Sequence, residues 1–290
     1  MKNQTEFRYS LRADLWLLSI CIAWGMSFPL VKIALKNISP ILFLAIRFWI
    51  GALILLPILR AHHINLNRDR LLRGSVLGLF MFLGMLFQTL GLKFTTASNS
   101  GFITGMAVVI VPILVIIIEK RLPKWPALTG ALVALVGLYC LTQPQTRGFN
   151  KGDLLTLICA LSFSFEIVYI ELLVRKNEAL VMAFIMICIT ALLSTGTCIL
   201  SEQHFFRPAR SMLASLGFVA FFCTALGFSL QTYWQPKTSA TAASIIYTSE
   251  PVFAALFAAV LLQERLDISG YIGGALIITG MLIAEFRRRV

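Results

Sequence analysis

The chain has 290 residues, 58% of them hydrophobic and only 13% charged, with a mean hydropathy of +0.85. Soluble domains carry roughly 25% charged residues, so this composition excludes an ordinary water-soluble module and belongs to a lipid bilayer. The net charge of +12 does not mark a nucleic-acid partner, because the basic residues sit in short connectors between apolar runs.

In chain order, ten apolar runs read as membrane spans: about 14–35, 40–60, 71–92, 97–118, 125–142, 153–173, 179–200, 212–234, 240–263 and 268–286. The predicted fold class is therefore an all-α membrane protein with ten transmembrane helices, and the short connectors leave no separate soluble domain. Lys2, Arg8 and Arg12 precede an apolar stretch too long for the core of a cleavable leader, so the first span is expected to act as its own insertion signal.

In that span Trp24, Gly25, Ser27 and Pro29 predict a break, since Pro29 removes the donor that would satisfy the Gly25 carbonyl. Arg47, seven residues past Pro40, lies ~10 Å along the second helix. It reads as snorkelling, paired with a glutamate, or holding a substrate carboxylate. Gln88, Asn99, Thr104 and, later, Gln231 are uncharged polar residues that either line a chamber or join helices by hydrogen bonds. Pro112 is a hinge candidate.

The sixth span contains Glu166 close to Tyr169, and Glu171, which is expected to pair with Arg175 at i+4. The ninth carries Glu250 and Pro251 near its middle. A carboxylate there costs roughly 2.5–3.5 kcal/mol on insertion scales, so it must be sheltered by other helices or line a wet cavity. On a continuous helix Ala243, Tyr247, Glu250 and Ala254 share one face. Glu250 reads either as a substrate or proton site, or as a structural carboxylate tied to Arg47 or to freed backbone donors. Glu166 divides the same way between ligand contact and an interhelical hydrogen bond.

Connector charge gives the orientation. One side collects Lys2, Arg8 and Arg12; Arg60, Arg68, Arg70 and Arg73; Lys120, Arg121 and Lys124; Arg175 and Lys176; Lys237; and Arg287, Arg288 and Arg289. The other has Lys32, Lys36, Lys93, Arg147, Lys151, Arg207, Arg210 and Arg265. This two-to-one bias predicts both termini in the cytoplasm and a multi-pass location in the cell (inner) membrane.

The chain also repeats. Residues 84–99 lie over 227–242 at an offset of 143, pairing Gln88 with Gln231, and the same offset pairs Gly130 and Gly137 with Gly273 and Gly280. Asp14 and Asp153 each open a span. Halves of five spans each, 1–148 and 149–290, must enter the membrane from opposite sides, which makes an inverted repeat. Gly74-x-x-x-Gly78, Gly101-x-x-x-Gly105 and Gly270-x-x-x-Gly274 predict close helix packing, with monomer and homodimer both open.

The runs WGMSFPLVKIAL (24–35), FLAIRF (43–48), SEPVFAALFAAVLLQERL (249–266) and GGALIITGMLI (273–283) resemble an EamA-type member of the drug/metabolite transporter superfamily. The resemblance covers nearly the whole chain. It implies a central cavity lined by helices 1–4 and 6–9, with helices 5 and 10 peripheral. It does not account for Glu166, and Pro112 does not align with Pro251.

Six cysteines lie within apolar runs at no metal spacing, and His62, His63 and His204 fall in connectors, so neither a metal nor another cofactor is expected. No phosphate-binding loop, zinc-protease motif or nucleophile elbow is present, so transport would draw on a gradient. The expected function is a secondary transporter, moving a small organic metabolite such as an amino acid outward by alternating access, with protons as a candidate coupling ion. An exporter of hydrophobic cationic drugs is the alternative; an intramembrane enzyme and a structural or sensory protein are weaker ones.

Overall fold

The computed structural model describes residues 2–61, 66–95, 97–142, 150–175, 177–201, 205–261 and 268–286. Among them every regular element is helical, apart from one antiparallel bridge between Ile38 and Phe206. The spans are α1 (Lys2–Ala34), α2 (Pro40–Ala61), α3 (Arg68–Gly91), α4 (Ala97–Gly105 and Ala107–Glu119) and α5 (Trp125–Thr142). The second half comprises α6 (Lys151–Leu173), α7 (Ala179–Leu200), α8 (Arg210–Phe218, π-helical Val219–Leu226, Gly227–Trp234), α9 (Ala240–Tyr247 and Glu250–Leu261) and α10 (Ile268–Phe286). Eight spans are long and apolar enough to cross a membrane, and the shorter apolar helices Trp125–Leu141 and Ile268–Ala284 bring the set to ten. Lipid offers no hydrogen bonds, so each run closes its own backbone bonds. Asn67, Asn150 and Ser239 cap α3, α6 and α9 by accepting from backbone N–H groups of the first turn.

The packing is that of an inverted repeat. In the first half α1 lies against α8 and α9; in the second, α6 lies against α3 and α4. The pairs α2–α7, α4–α9 and α5–α10 join equivalent helices across a pseudo-two-fold axis. A Cβ at Gly130 would stand 2.6 Å from the Gly280 carbonyl, and one at Gly137 2.7 Å from that of Gly273. The earlier glycine of one helix meets the later glycine of the other, so α5 and α10 cross antiparallel with their backbones in contact. Gly84 lies against the Phe163 ring and Gly227, its repeat partner, against the Trp24 indole.

Both α4 and α9 are interrupted, at Met106 and at Thr248–Ser249, and Met106 and Ser249 are themselves one repeat offset apart. The predicted break in α1 is not observed: the helix runs unbroken through Pro29, because proline removes a single bond and packing against α9 holds the rest. Pro112 likewise lies inside a continuous helix and is buried. Pro251 is the second residue of the second half of α9, where no intrahelical donor is required. Of the predicted glycine contacts, Gly74 and Gly78 do seat Ile185 and Ile189 of α7, whereas Gly101 has open space around it.

The main core, with Phe48, Leu77, Met81, Ile170, Met182 and Met186, sits between α2, α3, α6, α7 and α8. On α5 and α10 the residues Leu132, Val136, Tyr139, Tyr271, Ile278 and Leu282 are exposed, as expected of peripheral, lipid-facing helices.

One end of the bundle, that of the Lys/Arg-rich connectors, is tied by ion pairs. Glu178 joins Arg70 (3.0 Å) and Arg73 (2.8 Å), and Asp69 joins Arg73 (2.7 Å) and Arg175 (3.2 Å). The Arg73 guanidinium holds the Glu178 carboxyl below the usual carboxylate range. In a second set, Arg121 bridges Glu119 and Glu171. The expected Glu171–Arg175 pair does not form, because α6 ends at Leu173 and Arg175 leaves the helical register. Glu171 instead also accepts from the Ala240 N–H at the start of α9.

Candidate functional site

The π-helical stretch of α8 packs against α1 and α2. In α8 the wider π turn lets Thr224 accept from the Arg47 Nε at 2.7 Å while donating to the Val219 carbonyl. The neighbouring Cys223 carbonyl accepts from the Trp24 indole N–H at 3.0 Å. Arg47 is 6% exposed and stands over the Phe48 ring at 5.3 Å. It neither snorkels nor forms an ion pair within 4.0 Å among the described residues.

Glu250 opens the second half of α9. Its charge interacts with Arg47 on α2, and with Cys21, Cys159 and Cys223 on α1, α6 and α8, so it faces the bundle interior rather than lipid. It is half-buried and sits in the first turn of a half-helix, where the backbone N–H groups favour an anion. A turn at Thr248–Ser249 interrupts the helix between Tyr247 and Glu250, and the Glu250 charge still reaches Tyr247. α1 fills the bend: a Cβ on Gly25 would reach 2.8 Å from the Ala254 nitrogen and 3.0 Å from the Glu250 carbonyl.

Trp24 packs against Tyr247 and Phe228 with ring centroids 5.6 and 5.5 Å apart. Beyond that aromatic group lies a polar chain. Gln235 Nε2 donates to the Ile167 carbonyl (2.6 Å), and its Oε1 accepts from the Tyr247 hydroxyl (2.9 Å) and from Gln231 Nε2 (3.2 Å). The same Gln231 nitrogen donates to Glu166 Oε2 at 3.4 Å. Glu166, Gln231 and Gln235 are 3%, 2% and 0% exposed.

The structure thus gathers Trp24, Arg47, Glu166, Gln231, Tyr247 and Glu250 around one interior region between α1, α2, α6, α8 and α9. Tyr169 stands apart in a stack with Phe80 and Phe165, its ring 5.5 Å from Phe80. Thr104 contacts the Cys159 thiol, and Ser27 and Gln88 are half-buried. The side chain of Asn99, and His62, His63 and His204, lie outside the described residues. Sequence reasoning missed Gln235, Thr224 and Phe228. Gln231 and Gln235 stand at i, i+4, a readable signal, but Gln235 falls just past the predicted end of the eighth span at 234; nothing in the residue pattern announces the π turn that aims Thr224. Among the described residues no group of three His, Cys, Asp or Glu side chains is placed to hold a metal ion.

The model of the EamA-like transporter family matches residues 11–143 and again 150–286. An uncharacterized transporter of Archaeoglobus fulgidus is 36% identical, over 96% of this chain and 87% of its own length. An S-adenosylmethionine uptake transporter of Rickettsia prowazekii is 26% identical over 84% of this chain and 82% of its own. A crystal structure of a protein 20% identical in sequence superposes with a TM-score of 0.80, covering 96% of this chain and 98% of that one.

Proposed function

The chain belongs to the EamA-like transporter family, and we propose that it is a secondary carrier moving a small organic zwitterion, an amino acid or close relative, by alternating access across the cell (inner) membrane. One observation carries the reading: a buried cation from one half, Arg47, and an interior carboxylate from the other, Glu250, face each other without an ion pair among the described residues. Arg47 suits a carboxylate; Glu250 suits an ammonium group; Trp24, Tyr247 and Phe228 offer apolar area beside them. The duplicated halves, divided at about 148/149, and the paired interruptions at Met106 and Thr248–Ser249 suit a site at the repeat interface that is opened alternately to either side.

We place both termini in the cytoplasm and take transport as outward. Inward transport is the alternative, in keeping with the uptake activity for which the Rickettsia relative is named. The aromatic group beside the Glu250 carboxylate favours a second reading, a hydrophobic organic cation. No reaction is assigned.

The test is a thermal-shift screen of the purified protein against amino acids, S-adenosylmethionine, nucleosides and quaternary ammonium cations, followed by flux in proteoliposomes. A ligand of the folded state raises its apparent stability. Zwitterions are expected to stabilise the wild type but not Arg47→Met. Stabilisation by quaternary cations alone would replace the zwitterion reading with the second one, and flux that runs only inward would reverse the direction.

A further inference from the structure

The hydrogen-bond polarity of the interior glutamine chain is forced. The Ile167 carbonyl can only accept, so Gln235 must turn its Nε2 toward it and its Oε1 toward Gln231 and Tyr247. Gln231 must therefore present its nitrogen to Gln235, and the same nitrogen reaches Glu166 Oε2. Two atoms are left over: Glu166 Oε1 and Gln231 Oε1 are both buried and have no hydrogen-bond partner. Both are acceptors, and they belong to the two side chains already joined by the N–H of Gln231.

We infer that Glu166 and Gln231 form a proton-binding site: one proton on Glu166 Oε1, donated to Gln231 Oε1, closes a two-bond ring of carboxylic acid and amide. The ring satisfies both orphaned atoms at once, and a buried polar atom left unpaired is costly. Without the proton, a carboxylate stands in the interior with no cation within 4.0 Å among the described residues.

The surroundings add no competing charge. From α9 the Tyr247 hydroxyl faces both Glu166 and Gln231 and donates to Gln235, and Glu250, whose charge also reaches Tyr247, faces Arg47. On α3, Asp69 pairs with Arg73 and Arg175, and Arg70 and Arg73 pair with Glu178, at the end of the bundle. Glu119 of α4 and Glu171 of α6 are held by Arg121, and Lys237 lies over the Tyr233 and Trp234 rings. Cys159 contacts Thr104, and Asp153 accepts from Thr95 at the opposite end of α6. The first half has Ser27 where the second has Glu166, counting from Asp14 and Asp153, so the proton site exists in one half only.

This deepens the carrier reading above by naming its coupling ion, and it is tested without a substrate. The probe is the infrared carbonyl band of a protonated carboxylic acid, recorded on the ligand-free full chain in nanodiscs from neutral to alkaline pH, in water and in D2O. The wild type is expected to show the band at neutral pH, to lose it at alkaline pH and to shift it in D2O. Glu166→Gln is expected to lack it yet fold normally, since its amide donates to Gln231 in place of the acid; Glu250→Gln is expected to keep it. Gln231→Leu should move the band, because the acceptor is gone. An unchanged spectrum in Glu166→Gln, a band insensitive to Gln231→Leu, or failure of Glu166→Gln to fold overturns the proposal. So does replacing choline by sodium if that abolishes the band, which would make the site a metal-cation site. A wild type that carries nothing in proteoliposomes sinks the carrier reading and leaves this result standing.

Discussion

The two halves share a scaffold and differ in charge. Gly130 and Gly137 of the first half match Gly273 and Gly280 of the second, Gly84 matches Gly227, and both fourth helices of the repeat break at equivalent residues. At the positions that face the interior the match fails: Ser27 stands opposite Glu166 and Ala107 opposite Glu250, while Arg47 has no basic counterpart in α7. Backbone contacts tolerate no added atom and so stay symmetric. Interior side chains are held by fewer constraints and have taken complementary charges in the two halves. A duplicated bundle thereby acquires one asymmetric site.

The strongest way to break this comparison is at the crossing of α5 and α10. Gly137→Leu and Gly273→Leu are each expected to lose about 3 kcal/mol or more, since a side chain would meet backbone on the facing helix. Melting followed by size-exclusion chromatography should show equal losses; a tolerated change in either helix would mean that the halves do not share this contact. Next comes the charge asymmetry. Arg47→Met is expected to weaken zwitterion binding at least ~10-fold. Moving the carboxylate to its mirror position, Glu250→Ala with Ala107→Glu, should not restore transport, because Arg47 and Thr224 have no mirror image. Recovery of flux would show that the halves are interchangeable.

Thr224→Val tests the π turn and should cost about 1–3 kcal/mol by leaving the Arg47 Nε without its acceptor. An unchanged melting temperature would place that donor in water. The smallest effect is expected at the ion-paired end. Glu178 titrates lower in the folded protein than in the unfolded chain, so its contribution is complete above the unfolded pKa of ~4.3 and is lost as pH falls through the folded value. Glu178→Gln should flatten the acid limb of the stability–pH curve, with little change at neutral pH. A wild-type curve with the same acid limb would remove Glu178 from that role.

Ten spans, their near limits and the duplication were legible because each rests on local evidence: twenty apolar residues, or two stretches alike at one offset. Glu250 and Glu166 stood out for the same reason, as carboxylates in lipid-like surroundings. Their partners did not. Arg47 reads as snorkelling, paired with a glutamate or holding a substrate carboxylate, and within the protein it meets Thr224; Glu171 reads as paired with Arg175 four residues on and meets Arg121 of the connector after α4. Proline marks Pro29 and Pro112 as hinge candidates, yet both lie in intact helices, and one break falls at Met106, where no proline stands.

The sequence by itself determined that this chain crosses a bilayer ten times as two oppositely inserted halves, because lipid obliges every span to satisfy its own backbone within a stretch that can be read locally. Only the tertiary structure decided where helices open, which glutamine amide turns which way, and which residues share the interior. Those choices depend on atoms brought together from 65 to 199 residues apart, by packing that no single stretch contains.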